Sequence, residues 1–271
     1  MIPPITDTAI VISRSLGGEK PTKNPYNLVI PGKLTVATSP DFAPYEFYAI
    51  DANGNPRLAG FDVALAGYIA DRLGLELNIV PYDFDGVLSA LQSKKVDLAI
   101  AGLAAVPERR SSMDFSEIYY HGGQSFVTAK GNESKFPTLA DTNKAEYRIG
   151  VQTGSIHVSL AEENSPKASI VQMEKIGDIV AGLLSGQLDG AYLETLVAEC
   201  YRVNYPGLSI VLDVPYDVEG ASVGVSKGNE ALLQAVNEAI SAAKADGSMN
   251  RFVVEANELA AGEIYEGLLD H

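Results

Sequence analysis

The sequence holds a single cysteine, Cys200, and no tryptophan. One thiol closes no intrachain disulfide and builds no thiolate metal cluster, so a disulfide-stapled secreted module is excluded. A large exported protein that needs no staple is not excluded. Histidine is almost as scarce: His121, His157 and His271 are dispersed and lack metal-ligand spacing. Basic residues are few. Acidic ones outnumber them 35 to 20, for a formal charge of −15. A surface that acidic repels phosphate backbones and anionic headgroups, so neither nucleic acid nor a membrane surface is an expected partner. No apolar run approaches the ~20 residues that span a bilayer. The stretch Ala9–Ile12 is too short even for the core of a signal peptide. The chain thus reads as cytosolic, or as exported with its leader gone. No Gly-x-Ser-x-Gly elbow is present. No short-period repeat or low-complexity tract is visible, which excludes solenoids and propellers.

What is present is globular composition: 271 residues, 46% hydrophobic and 20% charged. That length suggests about two domains. Residues 1–32 stand apart, because Gly17-Gly18-Glu19-Lys20-Pro21-Thr22-Lys23-Asn24-Pro25 is a run of turn formers without periodicity. They read as a tether or added remnant, pinned near Tyr26 and Val29. The folded part then begins at Lys33. Lys33–Thr38 alternates as a strand. Phe61, Val63, Ala64, Tyr68, Ile69 and Leu73 recur at helical spacing, with Gly74 as the stop. Leu75, Leu77 and Ile79 predict a strand. Val87, Leu88, Leu91 and Val96 outline a helix opening near Asp85, and Asp97–Ala101 a further strand. This order implies parallel strands with right-handed crossovers. A second unit repeats it: strands at 148–151, 169–173 and 189–193, helices near 156–163 and 179–184. A strand at 221–225 and a helix through Leu232, Leu233, Val236 and Ile240 follow, and then a helical stretch from Met249 to Leu269 that packs on the first unit.

Two α/β units of similar size leave a cleft between them, and ligands on such sheets bind beyond the carboxyl ends of the strands. Each loop there offers chemistry. Ser39-Pro40-Asp41-Phe42-Ala43-Pro44-Tyr45-Glu46-Phe47 carries aromatic faces that suit ligand stacking or a plug against the core. Asp83-Phe84-Asp85-Gly86 places Phe84 at the sheet edge, as cleft wall or helix-entry staple, with Asp85 as a cap. Gly102 permits close backbone approach. Arg109, after a proline-started turn, offers a fork for a carboxylate, or is a solvated charge. Gln152-Thr153-Gly154-Ser155-Ile156 opens a helix whose N–H groups seat an anion, without the Lys-Ser/Thr pair of a phosphate loop. Glu194 ends a strand, where it holds an ammonium or caps a helix. Together these complement an α-amino acid zwitterion.

A set of motifs then stands out: Phe42-Ala43-Pro44-Tyr45-Glu46-Phe47, Gly60-Phe61-Asp62-Val63, Asp85-Gly86-Val87-Leu88-Ser89-Ala90-Leu91-Gln92, Ala101-Gly102 with Pro107-Glu108-Arg109, Met113-Asp114-Phe115-Ser116 and Gly150-Val151-Gln152-Thr153-Gly154-Ser155. From Lys33 to Ala256 the chain resembles the solute-binding proteins of polar amino-acid ABC transporters, bacterial family 3. The resemblance implies an α/β, two-lobed periplasmic-binding-protein type II fold. Each lobe is a mostly parallel sheet flanked by helices, joined to the other by hinge strands near Tyr120–Phe126 and Ala221–Val225. Lobe 1 would comprise residues 33–122 and 224–271, and lobe 2 residues 123–223.

By that resemblance Arg109 grips the ligand α-carboxylate, aided by backbone N–H groups near Ala104 and Ser155–Ile156. Glu194 takes the α-ammonium, and Phe42 and Phe84 form aromatic walls. Ser39, Gly102 and Gln152 complete the expected ligand shell, and His157 is a weaker candidate. Three positions depart from the family pattern: Ser39 where an aspartate is frequent, Ala104 where a hydroxyl is usual, and Ile156 where a hydroxyl or glycine is common. The implied protein is a monomer outside the cytoplasm, periplasmic or a surface lipoprotein. It would use no cofactor or metal and serve a membrane permease. Relatives on this fold include cyclohexadienyl dehydratases, for which Glu194 or Glu46 would be the acid. A receptor's sensory domain would need a following membrane segment, and none follows in this sequence. Cys200 falls in a helical pattern as a small hydrophobe.

Overall fold

The computed structural model describes residues 10–12, 25–218 and 220–262. The first run of elements is β1 (Ile10–Ile12), β2 (Lys33–Thr38), β3 (Phe47–Ile50), β4 (Pro56–Ala59), α1 (Phe61–Leu73), β5 (Glu76–Pro81), α2 (Phe84–Gln92), β6 (Leu98–Ala99), α3 (Pro107–Arg110) and β7 (Met113–Tyr120). The second is β8 (Gln124–Ala129), β9 (Arg148–Gln152), α4 (Ile156–Asn164), β10 (Ser169–Met173), α5 (Ile176–Leu184), β11 (Gly190–Glu194), α6 (Thr195–Asn204) and β12 (Leu208–Val214). The chain then returns through β13 (Ala221–Ser226), α7 (Glu230–Ala245) and α8 (Ser248–Ala260).

Of the two larger sheets, one runs β1-β5-β2-β6-β13-β7 and the other β10-β9-β11-β8-β12, while β3 and β4 pair as a separate two-stranded sheet. In the first, β2 pairs parallel with β5 and β6, while β13 runs antiparallel to β6 and β7. In the second, β9 pairs parallel with β10 and β11, while β8 runs antiparallel to β11 and β12. Parallel strands are covered on both faces, and β2 accordingly buries Leu34 to Thr38 without a break. The helix α1 is buried from Phe61 to Ala70, between its sheet and α7 and α8. It ends where expected, because Gly74 takes the left-handed φ of 66° that closes the last turn.

The chain passes between sheets twice, through His121-Gly122-Gly123 and through the segment between Val214 and Ala221. Regular pairing stops at Tyr120 and resumes at Gln124, so the first crossing is an irregular link rather than one continuous strand.

Several expectations shift. Asp83, not Asp85, stands at the N-cap position of α2, and makes no side-chain cap hydrogen bond. Val96 falls beyond that helix, which ends at Gln92, and is buried in the core instead. Only Leu98 and Ala99 of the Asp97–Ala101 run pair as strand, because the chain turns at Gly102 with φ of 56°. Ile10–Ile12, inside the segment read as a tether, pair antiparallel with the outer edge of β5. The last helix stops at Ala260, and the part of the expected helix after Gly262 lies outside the described residues. Sequence periodicity did not register the β3–β4 hairpin or the strands β8 and β12.

Candidate functional site

The carboxyl ends of β2, β5 and β6 face the carboxyl ends of β9 and β11 across one cavity. Phe42, Phe84, Gly102, Ala104, Arg109, Gln152, Ser155, Ile156 and Glu194 all line it. The space between them is narrow, about 40 Å³. That is room for a few water molecules, so a larger ligand enters only when the sheets part.

Arg109 sits on α3, a single turn started by Pro107. Its guanidinium donates to the Ala104 carbonyl at 3.0 Å and, across the cleft, to the Gly154 carbonyl at 3.1 Å. It lies 5.5 Å from the centre of the Phe84 ring, which gives that aromatic its place as a wall. Two carbonyls occupy two of its five N–H groups. Among the described residues no carboxylate forms an ion pair with it. Burial pulls its pKa below the usual value for arginine. A partly desolvated cation in this state gains from an incoming anion.

Facing it, Glu194 caps α6. Its Oε2 accepts the Val197 amide at 2.8 Å, while Oε1 is buried without a hydrogen bond. Burial pushes its pKa up to about 7, with partial relief from the Val197 amide and the neighbouring Tyr45 hydroxyl. Gly122 makes this geometry possible: a Cβ there would stand 2.5 Å from Glu194 Oε1 and 3.1 Å from the Tyr45 hydroxyl. Both readings of Glu194, cap and cation seat, are therefore compatible, one per oxygen.

The opposite rim is the start of α4. Ser155 caps it, its Oγ accepting the His157 amide at 3.2 Å and donating to the Gln152 carbonyl at 2.7 Å. Gln152 is buried and donates to the Glu174 carbonyl at 3.3 Å. His157 also lines the cavity, with Nε2 2.8 Å from Gln124 Oε1. Burial, aided by the charge of Arg109, drives its pKa down to about 3, so it stays neutral. The floor is set by Gly102, where a Cβ would meet the Phe42 ring at 2.8 Å.

One expected residue is elsewhere. Ser39 is buried behind the lining, its Oγ 3.3 Å from Asp41 Oδ1. Glu46, weighed as a cleft acid, is also outside the lining. It is fully buried beside Asp62, and both its oxygens and Asp62 Oδ1 lack a donor. Asp62 Oδ2 accepts the Gly102 amide and the Tyr119 hydroxyl, each at 2.9 Å. Burial raises both carboxyls, Asp62 to about 6 and Glu46 well above its usual range, and the charge of Asp62 further disfavours that of Glu46. Tyr45, Gln124 and His157 were not in the expected ligand shell or only weakly so. Tyr45 stands inside the Phe42–Phe47 motif and Gln124 directly after the first crossing, which are the signals that point to them.

Residues 34–255 match the family of bacterial extracellular solute-binding proteins, family 3. The chain belongs to that family. The arginine-binding extracellular protein ArtP of Bacillus subtilis is 31% identical over 223 residues, covering 81% of this chain and 84% of that protein. Among solved structures, the amino acid ABC transporter substrate-binding protein AbpA of Streptococcus pneumoniae, bound to L-arginine, superposes with a TM-score of 0.81 at 33% identity over 86% of this chain and 97% of that one. The ancestral amino-acid-binding protein AncCDT-1, a precursor of cyclohexadienyl dehydratase, matches with a TM-score of 0.74 at 31% identity, over 83% and 94%. The two-sheet α/β architecture described above is thus the type II fold of family 3 binding proteins.

Proposed function

We propose that this protein captures one L-amino acid between its two lobes, with a polar or basic side chain favoured, and delivers it to the permease of an ABC transporter. The observation that carries the reading is the pairing of opposites in one cavity: a half-buried arginine with no counter-ion among the described residues and a buried carboxylate oxygen without a hydrogen-bond partner. An α-carboxylate and an α-ammonium supply both at once. Phe42 and Phe84 then bracket the side chain, and the helix start adds the N–H of Ile156 to the carboxylate, since the Ser155 amide already donates to the Gln152 carbonyl. Ligands of ArtP and AbpA support the basic end of the range.

Closure follows from ligand contacts to both lobes, a population shift rather than a push. We assign lobe 1 to residues 33–122 together with the return from Ala221 onward, and lobe 2 to the second sheet and its helices from residue 123. The expected start at 224 would split β13, which pairs in the first sheet. The protein works as a monomer outside the cytoplasm, in the periplasm or as a surface lipoprotein. The reading is of a binding protein rather than an enzyme, as its relatives are.

A thermal-shift panel on unfolded and refolded protein, freed of carried ligand, tests this. One or a few amino acids at 100 times their dissociation constant add about 2.7 kcal/mol of stability. Silence from every amino acid, with turnover of prephenate, would replace the reading with a dehydratase. Silence throughout would remove amino-acid chemistry altogether.

A further inference from the structure

We propose that Asp41 and Tyr201, with the Asp83–Lys175 ion pair, form a latch on the rim of the cleft that sets how firmly the protein holds any ligand. The proposal rests on the reading that the lobes close on an amino acid.

Asp41 belongs to the loop after β2, on the first sheet. Its Oδ2 accepts the amide of Ile176 at 2.8 Å. Ile176 is the first residue of α5, which packs on the second sheet, so a carboxylate from one lobe sits at the helix start of the other. The backbone carbonyl of Asp41 accepts the Tyr201 hydroxyl at 3.2 Å, from α6 of that same second lobe. Beside them Lys175, at the N-cap position of α5, pairs with Asp83, which precedes α2 on the first lobe. None of these residues lines the ligand cavity.

Their contributions differ. Asp83 and Lys175 are about half exposed, at 41% and 47%, and water screens such a pair to little net value. Asp41 is mostly shielded. Burial raises its pKa, against the Ile176 amide and the Lys175 charge that favour its ionised form. A charge-assisted hydrogen bond in that setting is the stronger kind. Tyr201 is held in the same shielded corner, and burial drives its hydroxyl up beyond the ordinary phenol range, so it remains a donor.

All three contacts join elements of different sheets, so parting the lobes breaks them and closing remakes them. They act on the closed population, and apparent affinity scales with that population. The latch is therefore blind to ligand identity, whereas the cavity chooses the ligand.

The test uses Tyr201→Phe and the double variant Tyr201→Phe with Lys175→Met, in the full chain. The expected result for Tyr201→Phe is a dissociation constant raised about three- to tenfold through faster release. The factor is shared by every amino acid that binds, the order of preference is kept, and the ligand-free melting temperature is unchanged. The double variant loses somewhat more. Unchanged affinity and release rate in both variants overturns the latch. So does a factor that differs from one amino acid to the next, which would place Tyr201 in ligand selection. Small-angle scattering of ligand-free protein gives a second readout, a larger average radius in the double variant than in the wild type. If wild-type protein binds no amino acid, the function reading has failed. The latch then stands or falls on scattering alone, and equal radii overturn it.

Discussion

Arg109→Ala is expected to abolish measurable amino-acid binding. The guanidinium is shielded from water, forms no ion pair among the described residues and keeps N–H groups free of the Ala104 and Gly154 carbonyls. A ligand carboxylate closing on it is desolvated too. Removing the arginine leaves that carboxylate buried and unpaired, at a cost on the order of 3–5 kcal/mol. That is a loss of roughly two to nearly four powers of ten in affinity. Arg109→Lys should recover only part of it, because a single ammonium cannot present the two parallel N–H groups of the fork. Titration calorimetry reads the loss. A control separates binding from folding: Arg109 is partly desolvated at an energetic cost in the absence of an anion, so the ligand-free alanine variant should melt no lower than the wild type. Near-wild-type affinity in Arg109→Ala would remove Arg109 from the site.

The same residue shows how far a sequence carries such an argument. Its position after a proline turn was visible, and so was its place beyond a strand end. Its partners were not, because Gly154 lies 45 positions away and meets it only when two sheets face each other. Short-range signals suffice for some elements: β2 and α1 with its glycine stop follow from alternation, helical spacing and a turn residue. Elements held by long-range pairing were not. The strand β8 owes its conformation to neighbours β11 and β12, which are remote in sequence, and β12 bulges between Ile210 and Leu212, which blurs its period. Ser39 shows the limit of arguing from a motif position alone. The loop carries it, but the backbone bond from Asp41 to the Ser39 carbonyl at 2.8 Å tightens the turn, and the hydroxyl faces Asp41 inside the wall. Glu46 shows the other side. A carboxylate in a cleft motif reads as chemistry, yet in the structure it lies outside the cavity lining, buried, with neither oxygen hydrogen-bonded.

Glu194 supplies the second large effect, a pH dependence with a definite sign. Its pKa rises from an ordinary 4.5 to about 7 in the ligand-free fold, because burial disfavours the charged form. A raised carboxyl means that the folded protein holds the proton more tightly than the unfolded chain does. This contribution to stability is complete below the unfolded value and fades as pH climbs through about 7. Asp62, raised to about 6, adds a contribution of the same sign, lost over a slightly lower window. A ligand ammonium reverses the balance at Glu194, since it stabilises the carboxylate and lowers its pKa. Binding at pH 6 should therefore release close to one proton, and binding at pH 8 almost none. Affinity should fall about tenfold for each pH unit below the ligand-free pKa. Calorimetry in buffers of different ionisation enthalpy counts the protons directly. Glu194→Gln keeps an acceptor for the Val197 amide but carries no charge. It should weaken binding at pH 8 by about 3 kcal/mol and flatten the pH profile. An affinity that stays level from pH 5.5 to 8 in the wild type, with no proton released, would mean that the ligand's cation is held elsewhere.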